Sequence, residues 1–331
     1  MIRRVPDLAP QLLPARGLRW ERFAFPGRSV AVASEDREAL SLFRSLYRAF
    51  LFRRGEAGAG REVRLFLLRR GKEYLAIDPG FPSFICADPH RAVSFLSAQL
   101  FVNHLFRSSL LFLHGSVVLR EGRALIFCGG SGSGKSTLAV KLERAGHLLL
   151  SDEFAPLDLR TGLFRAFPRS FLIRGRRRGL VFLDWEERDR RGRPSRRALS
   201  ARPPSSRDLS APPGAVFLLQ GFRRGRTELR PLPAARALGL LLDHAVNPGY
   251  LRAGKGTGPI RGLTRLLSAV PAWSVRLGGG RESPAELFAA VDRAAASPPR
   301  GRADLKRVAA RCAALLRDRG GGKGSSSIPG G

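Results

Sequence analysis

Residues Gly129-Gly130-Ser131-Gly132-Ser133-Gly134-Lys135-Ser136-Thr137 fit the spacing G-x-x-x-x-G-K-S/T. That spacing suits phosphate chemistry. Glycines let backbone N–H groups turn inward around phosphate oxygens, and a following helix adds the positive end of its dipole. Lys135 would lie against the outer phosphates of a nucleoside triphosphate, and the Ser136 hydroxyl would ligate Mg2+. Downstream, Asp152 and Glu153 stand side by side at the end of an apolar run. A carboxylate there can hold Mg2+ or its water, and a second one leaves one group for metal and one for proton removal. An ordinary acidic turn is the plainer alternative. His114 closes an earlier apolar run; a lone histidine on a strand is more often packed than catalytic. Gly254-Lys255-Gly256-Thr257-Gly258 lacks the preceding strand and reads as a turn. Arg169 reads either as a phosphate clamp or as a solvated surface residue.

A phosphate loop needs a strand before it and a helix after it. The apolar stretch 124–128 predicts the strand, and 138–144 predicts the helix. Residues 110–119 read as two strands around His114-Gly115, followed by a turn at 120–122. Residues 147–153 read as a strand ending in the acidic pair. Strand 216–219, helix 234–245, strand 273–277 and helix 284–295 follow, an α/β pattern. Residues 1–108 read as a separate, smaller N-terminal α/β domain: strand 29–33, helix 38–52, a hairpin of 63–68 and 73–77, and helix 92–106. It carries no catalytic constellation and is expected to give structural support. The phosphate-loop domain runs over 109–297, with an Arg-rich insertion at 174–213 expected to be a mobile surface segment. A C-terminal helix at 302–317 and a disordered Gly/Ser tail close the segment 298–331.

A chain of 331 residues with 44% hydrophobic residues can build a full α/β core. No apolar run approaches the ~20 residues that span a bilayer, and no signal-peptide core follows the basic N-terminus. Three cysteines, far apart and without metal-ligand spacing, point to a reducing compartment, so a cytoplasmic location is expected. The net charge of +31 comes almost wholly from arginine. Compositional bias and an anionic partner both account for it. With no zinc-finger or RNA-recognition signature, nucleic acid is not the expected partner.

His114-Gly115, the loop 129–136, Gly146-His147 and the strand ending in Asp152-Glu153 together resemble the C-terminal domain of HPr kinase/phosphorylase and its HPr-kinase-related relatives. The spacings from His114 to Lys135 and from Lys135 to Asp152 agree with that family. Phe167-Pro168-Arg169-Ser170 is similar to its Phe-Pro-Arg-Pro stretch. The resemblance covers 110–172 closely and 214–296 by element order. It implies an α/β fold of the HPr kinase C-terminal-domain type, shared with phosphoenolpyruvate carboxykinases. It also implies ATP and Mg2+ as cofactors. Asp152 would be the general base, Ser136 and Glu153, with Asp152, would serve the metal, and His114 would lie beside the acids. Glu153 stands where the bifunctional enzymes carry Asp, and Thr137 where they carry Glu. These departures direct the expectation away from phosphorylase activity and from HPr. A serine hydroxyl on a small protein or peptide is the acceptor implied. The ring-shaped bifunctional relatives leave a homo-oligomer open.

The reading that follows is an ATP-dependent serine kinase. A regulatory ATPase without an acceptor, and a basic nucleic-acid-associated NTPase, are the alternatives. Deleting residues 320–331 is expected to leave the melting temperature and ATP binding unchanged, since a Gly/Ser tail buries nothing. A lowered melting temperature would show that the tail docks.

Overall fold

Two aspartates start the helices that cover the first sheet. Asp36 caps α1 (Arg37–Leu46) by accepting from the Ala39 amide at 3.0 Å. Asp88 caps α2 (Pro89–Gln99) by accepting from the Arg91 amide at 2.9 Å, with Pro89 pre-set in the first turn. In α1 the residues Leu40, Phe43 and Leu46 recur at helical spacing and are buried. The computed structural model describes residues 2–6, 17–53, 56, 62–169, 171–174, 182–188, 194–199, 207–247, 258–278 and 284–299, with 305, 307, 309 and 310.

The first sheet comprises β1 (Ile2–Val5), β2 (Arg19–Phe25), β3 (Arg28–Ser34), β4 (Val63–Arg70), β5 (Glu73–Ile77) and β6 (Ser83–Cys86), in the order β1-β6-β5-β4-β3-β2. Only β3 and β4 pair in parallel. The predicted hairpin at 63–77 is present, while β1, β2 and β6 carried no clear alternation and were not anticipated. The predicted helix 38–52 stops at Leu46 and is followed by a tight turn at Arg48–Phe50. The helix expected at 92–106 begins earlier, at Pro89, and passes into a π-helical turn at Leu100–Leu105.

The second sheet is built from β7 (Leu110–Arg120), β8 (Arg123–Gly129), β9 (Leu148–Ser151), β10 (Phe154–Asp158), β11 (Phe164–Arg165), β15 (Ser210–Ala211), β16 (Pro213–Arg223), β17 (Glu228–Leu232) and β18 (Ala272–Gly278). Its order is β15-β11-β10-β7-β8-β16-β18-β17, and β9 also pairs with β7. The strands β8, β16 and β18 are parallel neighbours. Helices α3 (Lys135–Arg144) and α6 (Pro284–Ala295) belong to one face, and α4 (Ala234–Asp243) and α5 (Gly258–Ala269) to the other. The chain is thus mixed α/β.

Three differences from the sequence reading matter. Residues 110–120 form one unbroken strand, not two. Gly115 does not break it; a Cβ there would meet the Phe127 carbonyl oxygen at 2.8 Å and Cys128 Sγ at 2.9 Å, so glycine permits a close approach between strands. The Arg-rich insertion, with the residues just before it, holds a small antiparallel sheet of β12 (Phe171–Arg174), β13 (Phe182–Arg188) and β14 (Pro194–Leu199), ordered β12-β14-β13. A backbone ladder satisfies its own polar groups, so arginine content alone did not exclude it. Helix α5 follows the glycine-rich stretch at 254–258, of which only Gly258 is among the described residues. The tail 320–331, Cys312 and most of the helix expected at 302–317 lie outside the described residues. No helix among the described residues is long and apolar enough to cross a membrane.

Asn247 joins the first core to the second sheet. It is fully buried, accepts from the Phe112 amide at 2.8 Å, and donates to the carbonyls of Phe106 at 3.1 Å and Leu110 at 2.9 Å. Replacing it with Ala leaves these buried groups unmet, each costing about 1–3 kcal/mol. Urea unfolding of Asn247→Ala is expected to show a loss of about 3 kcal/mol or more. An unchanged midpoint would mean water replaces the amide.

Candidate functional site

Strand β7 carries the site because its even-numbered residues share one face. Leu110 and Phe112 enter the first core, which holds Phe43, Tyr47 and Phe101. Val118 enters the core beneath α3. Between these two apolar anchors, His114 and Ser116 occupy the seam.

Opposite β7, β9 and β10 are two halves of a single antiparallel path. Val117 pairs with Ser151, and His114 pairs with Phe154. Asp152 and Glu153 fill the gap, opposite Ser116 and Gly115, and the Gly115 amide donates to the Glu153 carbonyl at 3.1 Å. The acids therefore sit at a break within a continued strand path, not at a strand's end. Glu153 has φ of +72°, a left-handed conformation costing a non-glycine residue about 1–3 kcal/mol. This turn sends the two carboxylates to different partners.

Asp152 points inward and is 3% exposed. Its Oδ1 accepts from Ser116 Oγ at 2.5 Å and from Ser136 Oγ at 3.2 Å. Burial raises its carboxyl above the ordinary range; the Ser116 hydroxyl opposes that rise, and the Glu153 charge adds to it. Glu153 instead pairs with the Arg169 guanidinium. Arg169 is 7% exposed and lies 5.4 Å from the centroid of the Tyr47 ring, so it is no solvated surface residue. Its partner Tyr47, at the end of α1, brings the N-terminal sheet's helix layer to the wall of the site.

The glycine-rich loop runs from β8 into α3, as expected of 129–137. A Cβ on Gly129 would meet the Leu219 carbonyl oxygen and Ser133 Oγ, each at 2.7 Å. Gly134 caps α3 with φ of +99°. Lys135 is buried, and its Nζ donates to the carbonyls of Gly129 at 2.7 Å and Gly130 at 2.9 Å. Burial lowers its pKa, and the Asp152 charge counters this. Ser133 Oγ is buried inside the loop with no hydrogen-bond partner. An orphan hydroxyl in a glycine-rich loop at a helix N-terminus is what a bound anion would satisfy.

Lys135, Ser136 and Asp152 are thus brought together. His114 stands beside them: its amide donates to the His244 carbonyl at 2.7 Å, and it lies across from Phe154, next to Glu153. Of the three residues expected to serve a metal, Ser136 and Asp152 are in contact, and Glu153 is turned to Arg169. A hydroxyl and a carboxylate are hard oxygen donors and fit Mg2+, which takes few protein ligands beside phosphate and water. Ser116 and Tyr47 were missed. Ser116 was within reach, since residues i and i+2 of a strand share a face and His114 was already marked. For Tyr47 no signal separated it from other core aromatics. The chain matches no protein-family model, and no curated protein matches it.

Removing the guanidinium would leave Glu153 unpaired against a buried ring. Breaking a buried ion pair costs about 3–5 kcal/mol, and the partial exposure of Glu153 places Arg169→Ala at about 2–3 kcal/mol. Chemical unfolding reads this directly; a stability equal to wild type would mean the pair holds nothing in place.

Proposed function

We propose that this chain is an ATP- and Mg2+-dependent phosphotransferase acting on a serine hydroxyl of a protein or peptide. One observation carries the reading: the Asp152 carboxylate is shared by Ser116 and by Ser136, the residue that ends the glycine-rich loop. In this reading the buried acid would lie near the last phosphate of a nucleotide held in that loop. The finer fold implied by the HPr-kinase resemblance, a phosphate-loop domain of that family's type, belongs to the same proposal.

Phosphoryl transfer asks the protein mainly for position and charge. The loop amides, the Ser133 hydroxyl and the α3 N-terminus hold the phosphates. Lys135 turns from the Gly129 and Gly130 carbonyls to the outer phosphates. Ser136 and Asp152 would hold Mg2+, which when bound would supply further neutralisation of the transferring group. Asp152 takes the proton of the attacking serine onto its carboxylate. Ser116 holds that carboxylate in line. Arg169 keeps Glu153 aside, and His114 forms the adjoining wall.

Transfer of labelled γ-phosphate from ATP to a serine-peptide library tests the proposal. Lys135→Ala is expected to abolish it. Asp152→Asn keeps the hydrogen-bond acceptor, so it is expected to bind ATP yet transfer ~10²-fold more slowly or worse. Phosphate release with no labelled peptide would favour the ATPase reading, and wild-type transfer by Lys135→Ala would end both.

A further inference from the structure

The most exposed large apolar side chain among the described residues is Phe222, at 59%. It sits beside the glycine-rich loop for a definable reason. Along β16, Ala215, Phe217 and Leu219 face the core beneath α3. Simple alternation would next place Gly221 on that face and turn Phe222 to the other. The register with β18 shifts instead: Leu219 pairs with Val275, but Phe222 pairs with Leu277. Two residues of β18 are thus matched by three of β16, a β-bulge, and Gly221 takes φ of +92° within it. The bulge re-aims Phe222 onto the face of α3. A Cβ on Gly134 would meet Leu277 Cδ1 at 2.7 Å and Phe222 Cζ at 2.9 Å, so the ring borders the last glycine of the loop.

Leu277 on the same face is 6% exposed, whereas Phe222 lies just beyond the core edge. The other exposed aromatic, Trp20, has Phe66 edge-on at 5.6 Å and Arg64 at 5.9 Å. Among the described residues no ring or guanidinium stacks on Phe222. A bulge, a left-handed glycine and a solvent-facing aromatic therefore meet at the carboxyl end of two parallel strands, where open α/β sheets take their ligands.

We propose that Phe222 is the base-stacking platform of the site: the nucleobase of the triphosphate lies against its exposed face while the phosphates lie in residues 129–137. This rests on the proposed function and deepens it, since it makes the ligand a nucleotide, not a bare polyphosphate. Stacking on an aromatic side chain is worth about tenfold to a hundredfold in affinity per base.

Calorimetric titration of the full chain with Mg-ATP and with Mg-tripolyphosphate separates the two claims. Wild type is expected to bind both, ATP the tighter. Phe222→Ala should weaken ATP by about tenfold or more and leave tripolyphosphate unchanged. Phe222→Trp should keep ATP affinity and add a fluorescence change on ATP that tripolyphosphate does not give. ATP binding unaffected by Phe222→Ala, or equal weakening of both ligands, would overturn the platform alone. Failure of wild type to bind either ligand would overturn the phosphate-loop reading and the platform with it.

Discussion

The arrangement depends on one interruption in a β-ladder. From Leu148 to Asp158 the chain follows β7 antiparallel; the register shifts once between Leu149 and Ser151, and the pairing lapses at Asp152-Glu153. Had the pairing continued with regular alternation, adjacent acids would have faced opposite sides of the sheet. The left-handed Glu153 breaks that alternation. It lets Asp152 turn to Ser116 and Ser136 while Glu153 turns to Arg169. The strain is held by what surrounds it, since the Gly115 amide clamps the Glu153 carbonyl and Gly115 itself is pressed against β8.

The buried carboxylate is tolerated because the Ser116 and Ser136 hydroxyls bond to it, in a seam between two apolar cores that β7 joins. Leu110, Phe112 and Phe167 belong to a core whose other buried members come from the N-terminal unit. Leu138 and Val118 belong to the core under the glycine-rich loop's helix. The site is the polar seam between them, and the N-terminal unit closes one wall through Tyr47 and Arg169.

How much of this was legible depends on the range of the signal. The glycine-rich loop, its strand and its helix are local patterns, and they were read within a few residues. The convergence of Lys135 and Asp152 followed from order along the chain. Ser116, Arg169 and Asn247 depend on partners distant in sequence: Asn247 bonds to residues 106–112. No local pattern marks such an asparagine. Arg169 was singled out but left between a phosphate clamp and a solvated residue, because composition cannot separate a buried guanidinium from a solvated one. Strand β7 was misread because Gly115 looks like a break until the closeness of Cys128 is known. The Phe222 bulge needs the register of β18, which no single strand's sequence contains.

The most direct test is a crystal structure of the chain soaked with Mg2+ and a non-hydrolysable ATP analogue. The account predicts phosphates in the loop 129–137, Ser133 Oγ bonded to one of them, and Lys135 Nζ moved from the Gly129 and Gly130 carbonyls onto the outer phosphate. An analogue bound elsewhere, with Lys135 still on those carbonyls at saturating ligand, would contradict it.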